Sequence, residues 1–206
     1  MPQELLYLAL GDSTAAGVGA ANGGGYPDRL LLRLLASRPG LRLLNLAQSG
    51  ATTHDVLESQ LPDALKLRPA LITLGVGIND VGMLLPEESF AVNLEEVVGR
   101  LGRLDAKLAI ANIPDLALAP AMARNSSTYL RRIELFNEHL EATAARHGAA
   151  LIDLFSLSRK LIPEQQSLFS PDGFHPSATG YDAWADAMLP QIELLLGDRR
   201  GEARCL

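Results

Sequence analysis

The chain has 206 residues, 48% of them hydrophobic and 20% charged, with a net charge of −6 at pH 7. That size suits one domain able to bury about 70% of the surface its unfolded chain exposes. The acidic balance argues against a nucleic-acid groove or an anionic membrane surface as partner, since the only basic pairs are Arg131-Arg132 and Arg199-Arg200. The single cysteine, Cys205, rules out an internal disulfide and is not placed as a prenylation box. The first residues lack a basic leader, and their apolar run is too short to span a membrane. The expectation is a cytoplasmic protein with one domain over residues 1–196 and a polar, flexible tail over 197–206.

Taken in order, five apolar runs have strand length: 5–10, 41–46, 71–76, 107–113 and 149–154. Their hydrophobicity is continuous, as in a parallel sheet covered on both faces. Helical stripes lie between them. Leu30, Leu31, Leu34 and Leu35 form one; Val56, Leu57, Leu61 and Leu65 another; Leu130, Ile133, Phe136, Leu140 and Ala144 a third. Asn125-Ser126-Ser127 matches a glycosylation acceptor but reads better as a helix start. A last helix begins near Ser177 and carries Tyr181, Trp184, Ala185, Met188, Ile192 and Leu195. Pro190 should kink or split it, and Trp184 reads as core. This alternation predicts an α/β fold: a three-layer α/β/α sandwich whose five-stranded parallel sheet has the flavodoxin-like order 2-1-3-4-5.

In such a sheet, ligands bind beyond the carboxyl ends of the strands, near the switch point beside strand 1. Strand 1 runs straight into Gly11-Asp12-Ser13-Thr14. Strand 2 is followed by Gln48-Ser49-Gly50-Ala51-Thr52-Thr53, and strand 3 by Gly77-Ile78-Asn79-Asp80. Each of these alone is ordinary turn or capping chemistry. Together, the N–H groups of Ser13 and Gly50 and the amide of Asn79 can point three donors at the oxyanion formed when a serine attacks an ester. Such a serine needs a base. Asp172-Gly173-Phe174-His175-Pro176 places a carboxylate and an imidazole on one tight loop before the last helix. His54, His139 and His147 lie in helical patterns without a comparable partner and receive no role.

The combination resembles the SGNH hydrolases, also called GDSL esterases or lipases, over residues 5 to about 190. The matching blocks are Gly11-Asp12-Ser13-Thr14, Gly50, Gly77-Ile78-Asn79-Asp80 and Asp172-Gly173-Phe174-His175. Thr14, where the family's nickname motif has leucine, is a peripheral departure. The resemblance implies Ser13 as nucleophile, His175 as general base, Asp172 as its orienting partner, and Ser13, Gly50 and Asn79 as the oxyanion hole. It implies a serine esterase acting on a small-molecule ester, with thioesters, lysophospholipids and acetylated sugars inside the same chemistry. No cofactor is expected.

Competing motifs fail. Gly17-Val18-Gly19 lacks the third glycine of a dinucleotide fingerprint, no Gly-Lys-Ser/Thr follows strand 1, and Ala15 breaks a G-x-S-x-G elbow. No ligand spacing implies a metal. The alternative reading is a non-catalytic flavodoxin-like domain cradling a phosphate on the strand-1 loop, which has no need of Asp172-x-x-His175. The apolar loops 80–85 and 112–122 are expected to wall an acyl pocket through Leu85 and Met122. Aromatics at 5% leave little for stacking long polysaccharides.

Overall fold

The computed structural model describes residues 5–197. Cys205 and the expected tail beyond Gly197 lie outside the described residues. Five parallel strands, β1 (Leu5–Gly11), β2 (Leu41–Asn45), β3 (Leu71–Gly75), β4 (Lys107–Ala111) and β5 (Ala150–Ile152), form one sheet in the order β2-β1-β3-β4-β5. This is the order expected from the sequence.

Both faces of the sheet are covered, and this is why the strands read as unbroken apolar runs. Along β1, Tyr7 and Ala9 point to one layer and Leu8 and Leu10 to the other, all fully buried. The Tyr7 layer packs on α2 (Tyr26–Leu34) and on the last helix, α9 (Ala178–Leu196). The Leu8 layer packs on a composite helix over 53–64, on α6 (Glu87–Leu101) and on α7 (Ser126–His147). The composite is α3 (Thr53–Asp55), a π-helical turn Val56–Gln60 and α4 (Leu61–Ala64). Two short helices follow strands directly, α1 (Ser13–Ala16) after β1 and α5 (Ile78–Gly82) after β3, and α8 (Leu154–Leu161) follows β5.

Helix α9 runs unbroken through Pro190. The expected split does not occur, because Ala185 and Met188 before the proline and Ile192 after it are all buried on one core. That burial outweighs one lost backbone bond. Among the described residues, no helix is long and apolar enough to cross a membrane.

The register positions the site. Gly11 of β1 pairs with Gly75 of β3, and Gly75 with Ala111 of β4, so three strands end level. The segment after β2 continues beside β1, with Gln48 N donating to Gly11 O at 3.1 Å. The loops that carry Ser13, Gly50 and Asn79 therefore leave the sheet along one edge.

Candidate active site

Ser13 opens α1 immediately after β1. Asp12 caps that turn: its Oδ1 accepts from Thr14 N at 2.9 Å and from Thr14 Oγ1 at 2.8 Å. Thr14 is thus less peripheral than its place in the motif implied, since its hydroxyl supplies a bond that leucine lacks. The far side of the site is a hairpin-like loop. Ser170 N donates to His175 O at 2.8 Å and Gly173 N to Ser170 O at 2.9 Å, while Phe169 and Pro176 form an antiparallel bridge. Ser177 then caps α9.

These two segments bring the sequence-derived trio together. His175 Nε2 lies 3.1 Å from Ser13 Oγ, and His175 Nδ1 lies 2.7 Å from Asp172 Oδ2. The other carboxylate oxygen of Asp172 accepts from Ser170 Oγ (2.8 Å), Phe174 N (2.8 Å) and His175 N (2.9 Å). Partial burial alone would raise this carboxyl, but the bonds from His175, Phe174 and Ser170 win and hold it well below the usual carboxylate range. An ionised Asp172 only accepts, so Nδ1 must carry the imidazole hydrogen and Nε2 turns its lone pair to the Ser13 hydroxyl. The Asp172 side chain is 46% exposed and that of His175 20%, so the pair can exchange protons with solvent.

The donors expected around the oxyanion share one rim. Asn79 Nδ2 donates one hydrogen to Ala51 O at 2.9 Å, next to Gly50, and the amide has a second hydrogen to offer. Gly50 is exposed at φ +83, and a Cβ there would meet nothing within 4 Å. Glycine is required by that left-handed backbone. Ser13 N lies in the first turn of α1, where a helix has no internal acceptor.

Several supporting residues were not read from the sequence. Asp80, almost fully buried, accepts from Thr53 N (3.0 Å) and Thr53 Oγ1 (2.6 Å), tying the β2 loop to the β3 loop. Its place beside Asn79 was a usable signal. Gln60 forms a paired amide clasp with Gly11, accepting from its N at 2.9 Å and donating to its O at 2.8 Å. Nothing local marks Gln60, which lies 49 residues from its partner.

An apolar cavity lies against His175 and Thr14. Its apolar walls include Leu116, Leu157, Leu161, Leu168, Phe174 and Trp184. Of the two apolar loops expected to wall an acyl pocket, 112–122 lines this cavity through Pro114, Asp115 and Leu116, while Leu85 and Met122 are not among its lining residues. Leu85 lies two residues before α6, and its carbonyl accepts from Arg132 Nη2 on α7 at 2.5 Å. Met122 lies in a 3-10 segment, Pro120–Asn125, whose start packs on Gly173. The walls come mainly from α8, the loop before His175, and α9. Among the described residues, no three His, Cys, Asp or Glu side chains group as a metal site requires.

Residues 9–183 match the model of the GDSL-like Lipase/Acylhydrolase family, most of the chain and all four blocks. The chain belongs to this family. A GDSL-like esterase of Mycobacterium tuberculosis, Rv1075c, is 29% identical over 195 residues, covering 91% of this chain. The aligned region spans 62% of that protein's length. Among solved structures, TesA superimposes with a TM-score of 0.76 at 26% identity, over 92% of this chain and 99% of that one. Axe2, an acetylxylan esterase from Geobacillus stearothermophilus, superimposes with a TM-score of 0.77 at 18% identity, over 97% and 100%. At that identity the likeness is one of fold. As a GDSL-family chain, this protein carries its blocks at the carboxyl edge of the sheet.

Proposed function

We propose that this GDSL-family protein is a serine esterase that hydrolyses carboxylic esters through an acyl-enzyme, with Ser13, His175 and Asp172 as its triad. The observation that carries the reading is the continuous chain of short contacts from Ser13 Oγ to His175 Nε2 and from Nδ1 to Asp172. Ser13 Oγ attacks the ester carbonyl while His175 Nε2 takes its proton. The negative charge passes to the carbonyl oxygen, where Ser13 N, Gly50 N and Asn79 Nδ2 donate to it. His175 then returns the proton to the departing alcohol, leaving an acyl group on Ser13. Water attacks that group with His175 again as base, and the proton passes from His175 back to Ser13 Oγ as the acid leaves. A phosphate-cradling domain has no use for the oriented imidazole.

The apolar cavity beside His175 supports an acyl or alkyl chain as the part of the substrate that is bound, ahead of a bare acetyl group on a sugar. A fluorophosphonate probe should label Ser13 stoichiometrically, and neither Ser13→Ala nor His175→Ala should label. No adduct on folded protein would overturn the reading. With p-nitrophenyl butanoate as substrate, Asn79→Ala should lower kcat on the order of 10²–10³. A loss below about tenfold would take Asn79 out of the oxyanion hole.

A further inference from the structure

A second, smaller apolar chamber adjoins the cavity beside His175. It reaches toward the strand ends and is lined by Val76, Ile113 and Leu154 among others. Four residues line both spaces: Thr14, Ile78, Pro114 and Trp184. Thr14 and Ile78 adjoin Ser13 and Asn79 in the chain, and Pro114 is backbone-bound to Leu116, whose N donates to its O at 2.8 Å. Trp184 is the bulkiest of the four and stands on α9. Its ring is wedged between Tyr26, at 6.4 Å and 40°, and Tyr181, at 6.1 Å and 78° between centroids and planes. Both tyrosines are fully buried, so the indole is a fixed wall.

We infer that Trp184 is a specificity-determining residue, the partition that limits how long an acyl chain the site accepts by closing the second chamber to a chain lying in the first. The inference rests on the esterase reading above. Apolar pockets discriminate chains by what they can enclose: each methylene gained or excluded changes kcat/KM by about 10–200-fold when the pocket is rigid. With the indole in place, a chain that fills the first chamber meets the ring. With it removed, the chain gains the apolar walls of the second.

The test is kcat/KM across p-nitrophenyl esters from acetate to palmitate for the wild type, Trp184→Ala and Trp184→Leu. Trp184→Ala should raise the ratio of laurate to butanoate hydrolysis by about tenfold or more, with Trp184→Leu between it and the wild type. Ala183→Phe, on the wall of the first chamber only, should move the profile the other way. If Trp184→Ala does not fold by near-ultraviolet circular dichroism, the leucine and Ala183→Phe variants still decide the matter. Superimposable profiles in active enzymes, or a uniform loss at every chain length in folded Trp184→Ala, overturn the inference and leave the esterase reading standing. A wild type that hydrolyses no ester in the series overturns the esterase reading itself.

Discussion

Asp12, next to the nucleophile, is fully buried, yet only one of its carboxylate oxygens is satisfied. Oδ1 takes both Thr14 donors, while among the described residues Oδ2 has no hydrogen-bond partner. Burial pushes this carboxyl up to about 6, opposed by the Thr14 bonds and by the nearby His175, and reinforced by Asp80. In the unfolded chain the same group ionises near 3.8. The folded state therefore holds the proton longer. The associated stability is fully present below the unfolded value and is lost as pH rises through about 6. The window corresponds to about 3 kcal/mol. Asp12→Asn keeps an acceptor for Thr14 and cannot ionise. Relative to the wild type it should gain about 2.4 kcal/mol between pH 4 and pH 7.5, since part of the loss is already complete at pH 4, read by urea unfolding at both. A difference that does not move with pH would show that Asp12 ionises alike in both states.

At the scale of elements, the short strap after α1 joins the nucleophile to the base. Ser13 O accepts from Gly17 N at 2.9 Å and Val18 N at 3.0 Å, and Val18 O accepts from the Tyr181 hydroxyl on α9 at 2.6 Å. Gly19 follows at φ +90, where a Cβ would come within 2.6 Å of Pro176 O and 2.8 Å of His175 Cβ. The strap is thus hydrogen-bonded to the Ser13 turn and packed on the His175 loop. Tyr181→Phe removes one hydrogen bond and keeps the ring. It should lower kcat about tenfold with KM unmoved, since it loosens the 3.1 Å contact between Ser13 and His175 without touching the acyl cavity. Gly19→Ala should cost more, because it pushes on the His175 loop directly. A Tyr181→Phe enzyme with wild-type kcat, or one that changes KM alone, would remove the strap from catalysis. In the sequence these glycines were visible only as a dinucleotide motif that fails. Their use depends on Tyr181, 163 residues away from Val18.

For the whole molecule, what could be read from the sequence depended on how local the physics was. The strands were legible because burial on both faces leaves continuous apolar runs, and the Asp172–His175 pair because one tight loop holds it. Helix α6 was not read, although Phe90, Leu94, Val97, Val98 and Leu101 keep a helical spacing and are all buried. Of the apolar loops, 112–122 reaches the cavity through Pro114 and Leu116, but the walls that α8 and α9 add to it carry no local mark in the sequence. Trp184, read as core, does pack on the core but also bounds the cavity. Closure of the layer that carries it could not be read at all. It comes from α2, near the start of the chain, meeting α9 at its end through Arg29 and Arg33. Arg29 Nη1 donates to Asp182 Oδ2 at 2.7 Å, and Arg33 Nε to Asp186 Oδ1 at 2.6 Å.

The two pairs should behave differently. Arg33 is 22% exposed, and its partners Asp186 and Asp182, the latter shared with Arg29, are 66% and 45% exposed, so solvent screens these contacts and Arg33→Ala should cost about 1 kcal/mol or less. The Arg29 side chain is only 9% exposed and also donates to Asn22 O at 2.8 Å, so its truncation loses packing and a charge-assisted bond. Arg29→Ala should cost on the order of 2 kcal/mol. At about 1 M salt the Debye length shrinks to about 3 Å, which should erase most of the Arg33 effect and leave most of the Arg29 effect. Urea unfolding of both variants at low and high salt separates the cases. Equal salt sensitivity would mean that Arg29 acts as a surface charge and that packing between α2 and α9 closes this layer without it.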